Sequence, residues 1–149
     1  MMLTTKSRYA VMAMVDIAAQ SGDKPVKLAE IAERQDIALN YLEQIFTLLK
    51  AAELVSAVKG PGGGYSIHGD KAKITIADIV DAVDESVEMT RCATHEKKGG
   101  CAKDNAKCLT HDVWEGLTTH IRGYLSGITL KSICARGQKT KFDFLQQTI

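Results

Sequence analysis

The most constraining feature of this chain is a run of glycine and proline, Lys59-Gly60-Pro61-Gly62-Gly63-Gly64, set between two β-prone stretches. Leu54-Val55-Ser56-Ala57-Val58 precedes the run and Tyr65-Ser66-Ile67 follows it, so the segment reads as a β-hairpin. Three consecutive glycines also suggest a phosphate loop, but no Gly-Lys-Ser/Thr follows and that motif fails. Just upstream, Leu42, Ile45, Phe46 and Leu49 recur at the spacing of one helix face, predicting a helix from about Asn40 to Ala51. A shorter helix, Leu28 to Gln35, is expected to bury Leu28, Ile31 and Ala32. The short connection between these two helices is the signature of a helix-turn-helix, and a hairpin directly after such a motif is a wing.

The flanking segments extend this reading. From Thr5 to about Ala19 a helix is expected, with Ala10, Ala13, Met14 and Ile17 on its buried side, ended by Ser21-Gly22-Asp23-Lys24-Pro25. Ile76 to Val83 reads as a short fourth helix, and from Asp84 to Thr110 the periodicity disappears. Residues 110–133 are expected to form one long helix, because Trp114, Leu117, Ile121, Tyr124 and Ile128 follow a heptad seam. Gly123 and Gly127 each cost about 1 kcal/mol relative to alanine inside a helix, which points to close approach of another helix. The expected fold class is mainly α: a winged helix-turn-helix domain with a small β-hairpin wing, plus a long C-terminal dimerisation helix. The divisions are 1–68 for the DNA-binding domain, 69–91 for a connecting helix and linker, 92–111 for a cysteine-bearing loop, 110–133 for the dimerisation helix, and 134–149 for a tail without pattern.

Composition narrows the function classes. The 149 residues are 45% hydrophobic and 25% charged, which is ordinary for a globular domain. No apolar run approaches the roughly 18 residues of a membrane span, and Met1-Met2-Leu3-Thr4-Thr5-Lys6 lacks the apolar core of a secretory signal. A cytoplasmic location is expected. Net charge is only +1, and residues 1–68 carry seven basic and seven acidic side chains. Basic groups for nucleic acid must therefore be placed locally. No Ser-His-Asp, paired-carboxylate or thiol–base constellation is discernible, so an enzyme is not expected.

A helix-turn-helix offers its second helix to the major groove. Opposite the apolar face of residues 42–49 lie Asn40, Tyr41, Glu43, Gln44 and Thr47. Glutamine pairs with adenine in bidentate fashion, and glutamate accepts from the cytosine amino group. Asn40 and Glu43 also have the spacing of a helix cap and its reciprocal partner. Lys6, Arg8 and Lys50 suit phosphate contacts, which orient without reading sequence. Lys59 beside Gly60 and Pro61 places a cation on a thin ribbon fit for the minor groove, or else on a plain exposed turn.

The four cysteines are at 92, 101, 108 and 134, with none in the first 91 residues. Such clustering in a cytosolic protein favours metal ligation over disulfides. Cys92, Cys101, Cys108 and His111 form Cys-x8-Cys-x6-Cys-x2-His, whose long gaps suit a cluster in a loop better than the tight knuckles of zinc sites. Three thiolates and a neutral imidazole leave an oxidised 2Fe–2S centre at about −1. From Arg91 to Cys108 five basic residues face two acidic ones, a surplus that favours an anionic group or simply solvates the loop. His95 reads as an ordinary loop residue, with a substitute donor as the alternative, and Cys134 is read as a buried free thiol rather than a ligand. Structural zinc on the same residues, or a small redox protein carrying an iron–sulfur cluster, remain the rival readings.

Leu3-Thr4-Thr5-Lys6, Arg8-Tyr9-Ala10-Val11, Tyr41-Leu42-Glu43-Gln44, Gly60-Pro61-Gly62-Gly63-Gly64-Tyr65, Ala82-Val83-Asp84-Glu85-Ser86 and Cys108-Leu109-Thr110-His111 together resemble the IscR family of iron–sulfur cluster regulators, over residues 2–131. The resemblance implies a homodimer with crossed long helices, bound to pseudo-palindromic promoter DNA. It further implies a 2Fe–2S cluster on three cysteines and a histidine, supplied by the assembly machinery, and repression of iron–sulfur assembly genes by the cluster-bound form. Tyr41, Glu43 and Gln44 match the family's base-reading positions. The cysteine gaps are eight and six where the family has typically five and five. Lys59 stands where arginine is usual, and Asn40 replaces a smaller polar residue. Arg8 stands where the nitric-oxide-sensing relatives, NsrR, usually carry an acidic residue.

Overall fold

Small side chains at Ala10, Ala13 and Ala18 let the first helix lie in the middle of the core without holding its neighbours apart. A computed structural model describes residues 4–20, 24–85, 87–88, 101 and 107–137. In it α1 (Thr5–Gln20) packs against α2 (Leu28–Gln35), α3 (Leu39–Ala51), the hairpin strand β2 (Gly64–Ile67), α4 (Ile76–Ala82) and α6 (Leu130–Gly137). Ala10, Ala13, Met14 and Ile17, the expected inner face, are all buried. One charge lies among them. Asp16 is buried and accepts from Arg34 Nη2 at 2.6 Å, Arg34 Nε at 3.1 Å and Gln35 Nε2 at 2.7 Å, which ties α1 to α2 and gives the buried carboxylate its partners.

The turn between α2 and α3 is closed by Asp36, which adopts the left-handed conformation at φ 53° and donates its amide to Ala32. Buried Ile37 then anchors the connection. α3 starts at Leu39, one residue earlier than expected, and its N-cap is Ala38, which offers no side-chain oxygen. Asn40 is therefore inside the helix and does not cap it, and the reciprocal Glu43 bond expected from spacing is not made. Leu42, Ile45, Phe46 and Leu49 are fully buried as predicted.

Strands β1 (Val55–Val58) and β2 pair antiparallel with Val55 opposite Ile67 and Val58 opposite Gly64. Two glycines make the closure possible. A Cβ at Gly63 would lie 2.2 Å from the carbonyl oxygen of Val58, and one at Gly64 would lie 2.5 Å from that of Val26. The second approach matters because Val26 and Tyr65 exchange both backbone hydrogen bonds at 2.8 Å, adding a third segment to the hairpin. The Tyr65 ring meets Phe46 of α3 edge-on at 4.8 Å and seats the wing on the helix-turn-helix.

α4 opens with a full capping box between Thr75 and Asp78. Beyond it the structure corrects the expectation of one helix over residues 110–133. α5 (His111–Ser126) stops, Gly127 to Thr129 turn, and α6 begins at Leu130. The cause is tertiary: Ile128 accepts from the Ile76 amide at 2.9 Å and the Leu130 amide donates to Ile74 at 3.0 Å, so this turn is stitched to the segment leading into α4. Thr129 and Ser132 then exchange side-chain and backbone bonds in the pattern of a capping box, starting α6 afresh. Gly127 is thus the cap of α5 rather than an interior residue, and no atom of the described chain approaches a Cβ placed on Gly123. The tail expected from residue 134 is helical to Gly137, and its remainder lies outside the described residues. Among the described residues no helix is long and apolar enough to cross a membrane.

Candidate functional site

Two surfaces carry the chemistry. On the first, Asn40, Glu43, Gln44 and Thr47 are exposed along α3, opposite its buried face. Thr47 turns its hydroxyl back to the Glu43 carbonyl at 2.9 Å, leaving Asn40, Glu43 and Gln44 as the outward polar groups of this stretch. Tyr41 is half-buried, its ring edge-on to Tyr9 of α1 at 5.9 Å. That contact brings the first turns of α1, where Lys6 is half-buried and Arg8 exposed, beside the start of α3. Lys50 is exposed in the last turn of α3. Lys59, Gly60 and Pro61 are exposed at the hairpin tip, where Gly60 takes φ 106° and accepts from Gly63 at 2.9 Å. A polar helix face flanked by cations and a narrow ribbon is suited to a duplex groove and its phosphates.

The second surface is at the start of α5. His111 is its first residue, and the imidazole Nδ1 lies 3.0 Å from Cys101 Sγ. Cys108 lies alongside, with its Sγ 3.5 Å from Thr110 Oγ1 and its carbonyl accepting the His111 amide at 3.0 Å. The Thr110 hydroxyl, the Cys101 thiol and the amides of Thr110 and His111 hold the Cys108 thiol below the usual thiol range. Two sulfurs and an imidazole converging at a helix N-terminus form a donor set soft enough for iron or zinc, and hydrogen bonds that favour thiolate favour ligation. Cys92, the remaining predicted ligand, lies outside the described residues, as do His95, Arg91, Lys97, Lys98 and Lys103. Cys134 sits on α6 against the core, away from the start of α5 in the sequence and in the packing.

Sequence reasoning missed Glu115. Its Oε2 lies 3.6 Å from His111 Nε2 and 3.9 Å from Lys107 Nζ. Lys107 also reaches Asp112 at 4.0 Å, so this lysine of the expected basic surplus is neutralised locally by carboxylates. The four-residue step from His111 to Glu115 was the available signal.

α5 buries only Leu125, while Val113, Trp114, Leu117 and Tyr124 stay exposed. The predicted seam therefore divides. Ile121 and Ile128 pack on the chain's own core, and Trp114, Leu117 and Tyr124 form an apolar outer face. A contiguous exposed apolar face of this kind marks an interaction surface.

Comparison with known proteins gives the family and the fold. Residues 3–136 match the model of the Rrf2 family, described as an iron-dependent transcriptional regulator. The chain is 51% identical to the HTH-type transcriptional regulator IscR of Klebsiella pneumoniae (strain 342) over 130 residues, 87% of this chain and 77% of the relative. It is also 51% identical to the same-named regulator of Escherichia coli O1:K1 / APEC over 130 residues. Among solved structures, T. potens IscR superposes with a TM-score of 0.75 at 30% identity, covering 95% of this chain and 91% of that one. CymR, the global cysteine regulator of B. subtilis, shares the fold at a TM-score of 0.75 and 24% identity, covering 91% of this chain and 98% of that one.

Proposed function

The chain belongs to the Rrf2 family of iron-dependent transcriptional regulators, and on that premise we propose that it is a cluster-sensing, promoter-binding homodimer. Its cofactor in this reading is a 2Fe–2S cluster held by Cys92, Cys101, Cys108 and His111. The observation that carries the reading is the convergence of Cys101 Sγ on His111 Nδ1, at 3.0 Å, on the first residue of the helix that bears the exposed apolar face. The bound cluster supplies a redox-labile, anionic centre whose presence reports iron–sulfur supply.

The chain's own residues divide the work. Cys101 and Cys108 offer thiolates, and His111 offers a neutral nitrogen, which acid removes because protonated imidazole does not ligate. His111 is part of α5, so occupancy of the site bears directly on the helix through which two copies associate by Trp114, Leu117 and Tyr124. Two-fold pairing presents two α3 helices to two half-sites, hence pseudo-palindromic promoters. Asn40, Tyr41, Glu43 and Gln44 face base edges. Lys6, Arg8 and Lys50 meet phosphates, and Lys59, Gly60 and Pro61 enter the minor groove. The protein works in the cytoplasm, receives its cluster from the assembly machinery, and in the cluster-bound form represses iron–sulfur assembly genes.

The test is protein purified without oxygen, examined by absorption and metal content. Visible bands with about two irons and two sulfides per chain support the reading, and Cys92→Ala, Cys101→Ala and Cys108→Ala should each abolish them while Cys134→Ser does not. A colourless protein with one zinc per chain would leave the winged helix and remove cluster sensing. Equal loss at Cys134 would overturn the ligand set.

A further inference from the structure

The two nitrogens of His111 face different chemistry. Nδ1 points to Cys101 Sγ at 3.0 Å, whereas Nε2 faces Glu115 Oε2 at 3.6 Å, one helical turn further along α5. The imidazole is largely enclosed, its side chain 11% exposed. A neutral imidazole carries one proton and one lone pair, and the group beside each nitrogen decides which has which. A carboxylate beside Nε2 stabilises the proton there. The lone pair is then left on Nδ1, the nitrogen directed at the thiol. Lys107 Nζ, 3.9 Å from the same Glu115 oxygen, holds that carboxylate between an ammonium and the ring. Asp112, 87% exposed, contacts Lys107 at 4.0 Å and has a carboxylate oxygen within 4.8 Å of His111 and Glu115 donor atoms, while Glu115 is the carboxylate paired with Nε2.

We propose that Glu115 is a positioning residue for His111: it keeps the proton on Nε2 and presents the Nδ1 lone pair to the group bound with Cys101 and Cys108. This rests on the reading of His111 as a ligand. Partners of this kind fix the ring's orientation and raise its basicity as a ligand, and their removal typically weakens metal retention 10- to 100-fold. Glutamine at the same place keeps an acceptor oxygen without the charge, while alanine removes both. The two variants therefore separate acceptor from charge.

The experiment uses the full chain in two states. Nitrogen-15 NMR of the cluster-free protein at neutral pH, with the His111 signal assigned by its loss in His111→Ala, reads the tautomer directly. The expected wild-type result is a proton predominantly on Nε2, retained in Glu115→Gln and redistributed towards Nδ1 in Glu115→Ala. In protein reconstituted without oxygen, Glu115→Ala should lose its cluster to a chelator at least about 10-fold faster than wild type, with Glu115→Gln in between. A wild-type proton on Nδ1, or a Glu115→Ala protein equal to wild type in tautomer and chelator rate, would overturn the proposal. A wild-type chain that takes up no cluster yet shows the expected tautomers would overturn the ligand reading instead.

Discussion

Arg122 grips both carboxylate oxygens of Asp81, with Nη1 at 3.2 Å from Oδ1 and Nη2 at 2.5 Å from Oδ2, and so fastens α5 to α4. The carboxylate in turn holds the guanidinium pKa above its usual value. α4 packs on α1 and α3, so this fork joins the helix bearing His111 to the domain bearing the polar α3 face. Both side chains are about half exposed, and solvent screens the pair. Arg122→Met should lower stability by only about 0.5–1 kcal/mol while weakening the difference in DNA affinity between cluster-bound and cluster-free forms. Urea melts and DNA titrations of both forms measure the two effects. An unchanged difference would show that α5 and α4 communicate by other contacts.

Asp16 sets up a sharper stability test, since its side chain is 2% exposed while Arg34 retains access to water. Asp16→Ala removes the acceptor shared by Arg34 and Gln35. The expected loss is about 2–3 kcal/mol in urea unfolding, below the full cost of stranding a buried charge because Arg34 turns to solvent. A loss below about 0.5 kcal/mol would mean that the clamp behaves like a surface pair.

Gly62 and Gly63 are adjacent and should respond oppositely to alanine. A Cβ at Gly63 meets the Val58 carbonyl at 2.2 Å, whereas one at Gly62 meets nothing within 4 Å. Gly63→Ala is expected to distort the wing and weaken DNA binding, with far-UV helicity preserved, and Gly62→Ala should leave both intact. Equal binding by the two variants would show that the wing's shape is not needed.

Gln44 and Lys59 separate reading from holding. Gln44→Ala should cost about 1–3 kcal/mol on cognate DNA and little on unrelated sequence. Lys59→Ala should weaken both and reduce the salt slope by about 1. Fluorescence titrations across salt concentrations distinguish these patterns.

The apolar face of α5 is tested by Leu117→Glu, which places a charge beside Trp114 and Tyr124. Sedimentation should report a monomer for the variant and a dimer for the parent chain. A parent monomer would remove the paired-half-site arrangement.

The buried faces of α1 and α3 and the hairpin across Lys59–Gly64 were legible in the chain itself, because helical and strand periods and a Gly-Pro turn are local properties. The backbone bond from the His111 amide to the Cys108 carbonyl is likewise local, spanning three residues, whereas the approach of Cys101 Sγ to His111 Nδ1 spans ten. The break after Ser126 was not legible. A heptad pattern runs straight through Ile128, and only backbone bonds to Ile74 and Ile76, some fifty residues away in sequence, pull that turn out of the helix. Asn40 lost its expected capping role because α3 starts one residue earlier at Leu39. Burial of Asp16 beneath Arg34 and the fork between Arg122 and Asp81 also arise where distant segments meet. Periodicity and turn chemistry act within a few residues and so are written along the chain. Helix ends, charge pairs and the ring nitrogen that faces each partner depend on what another segment brings alongside, and that is settled by tertiary packing.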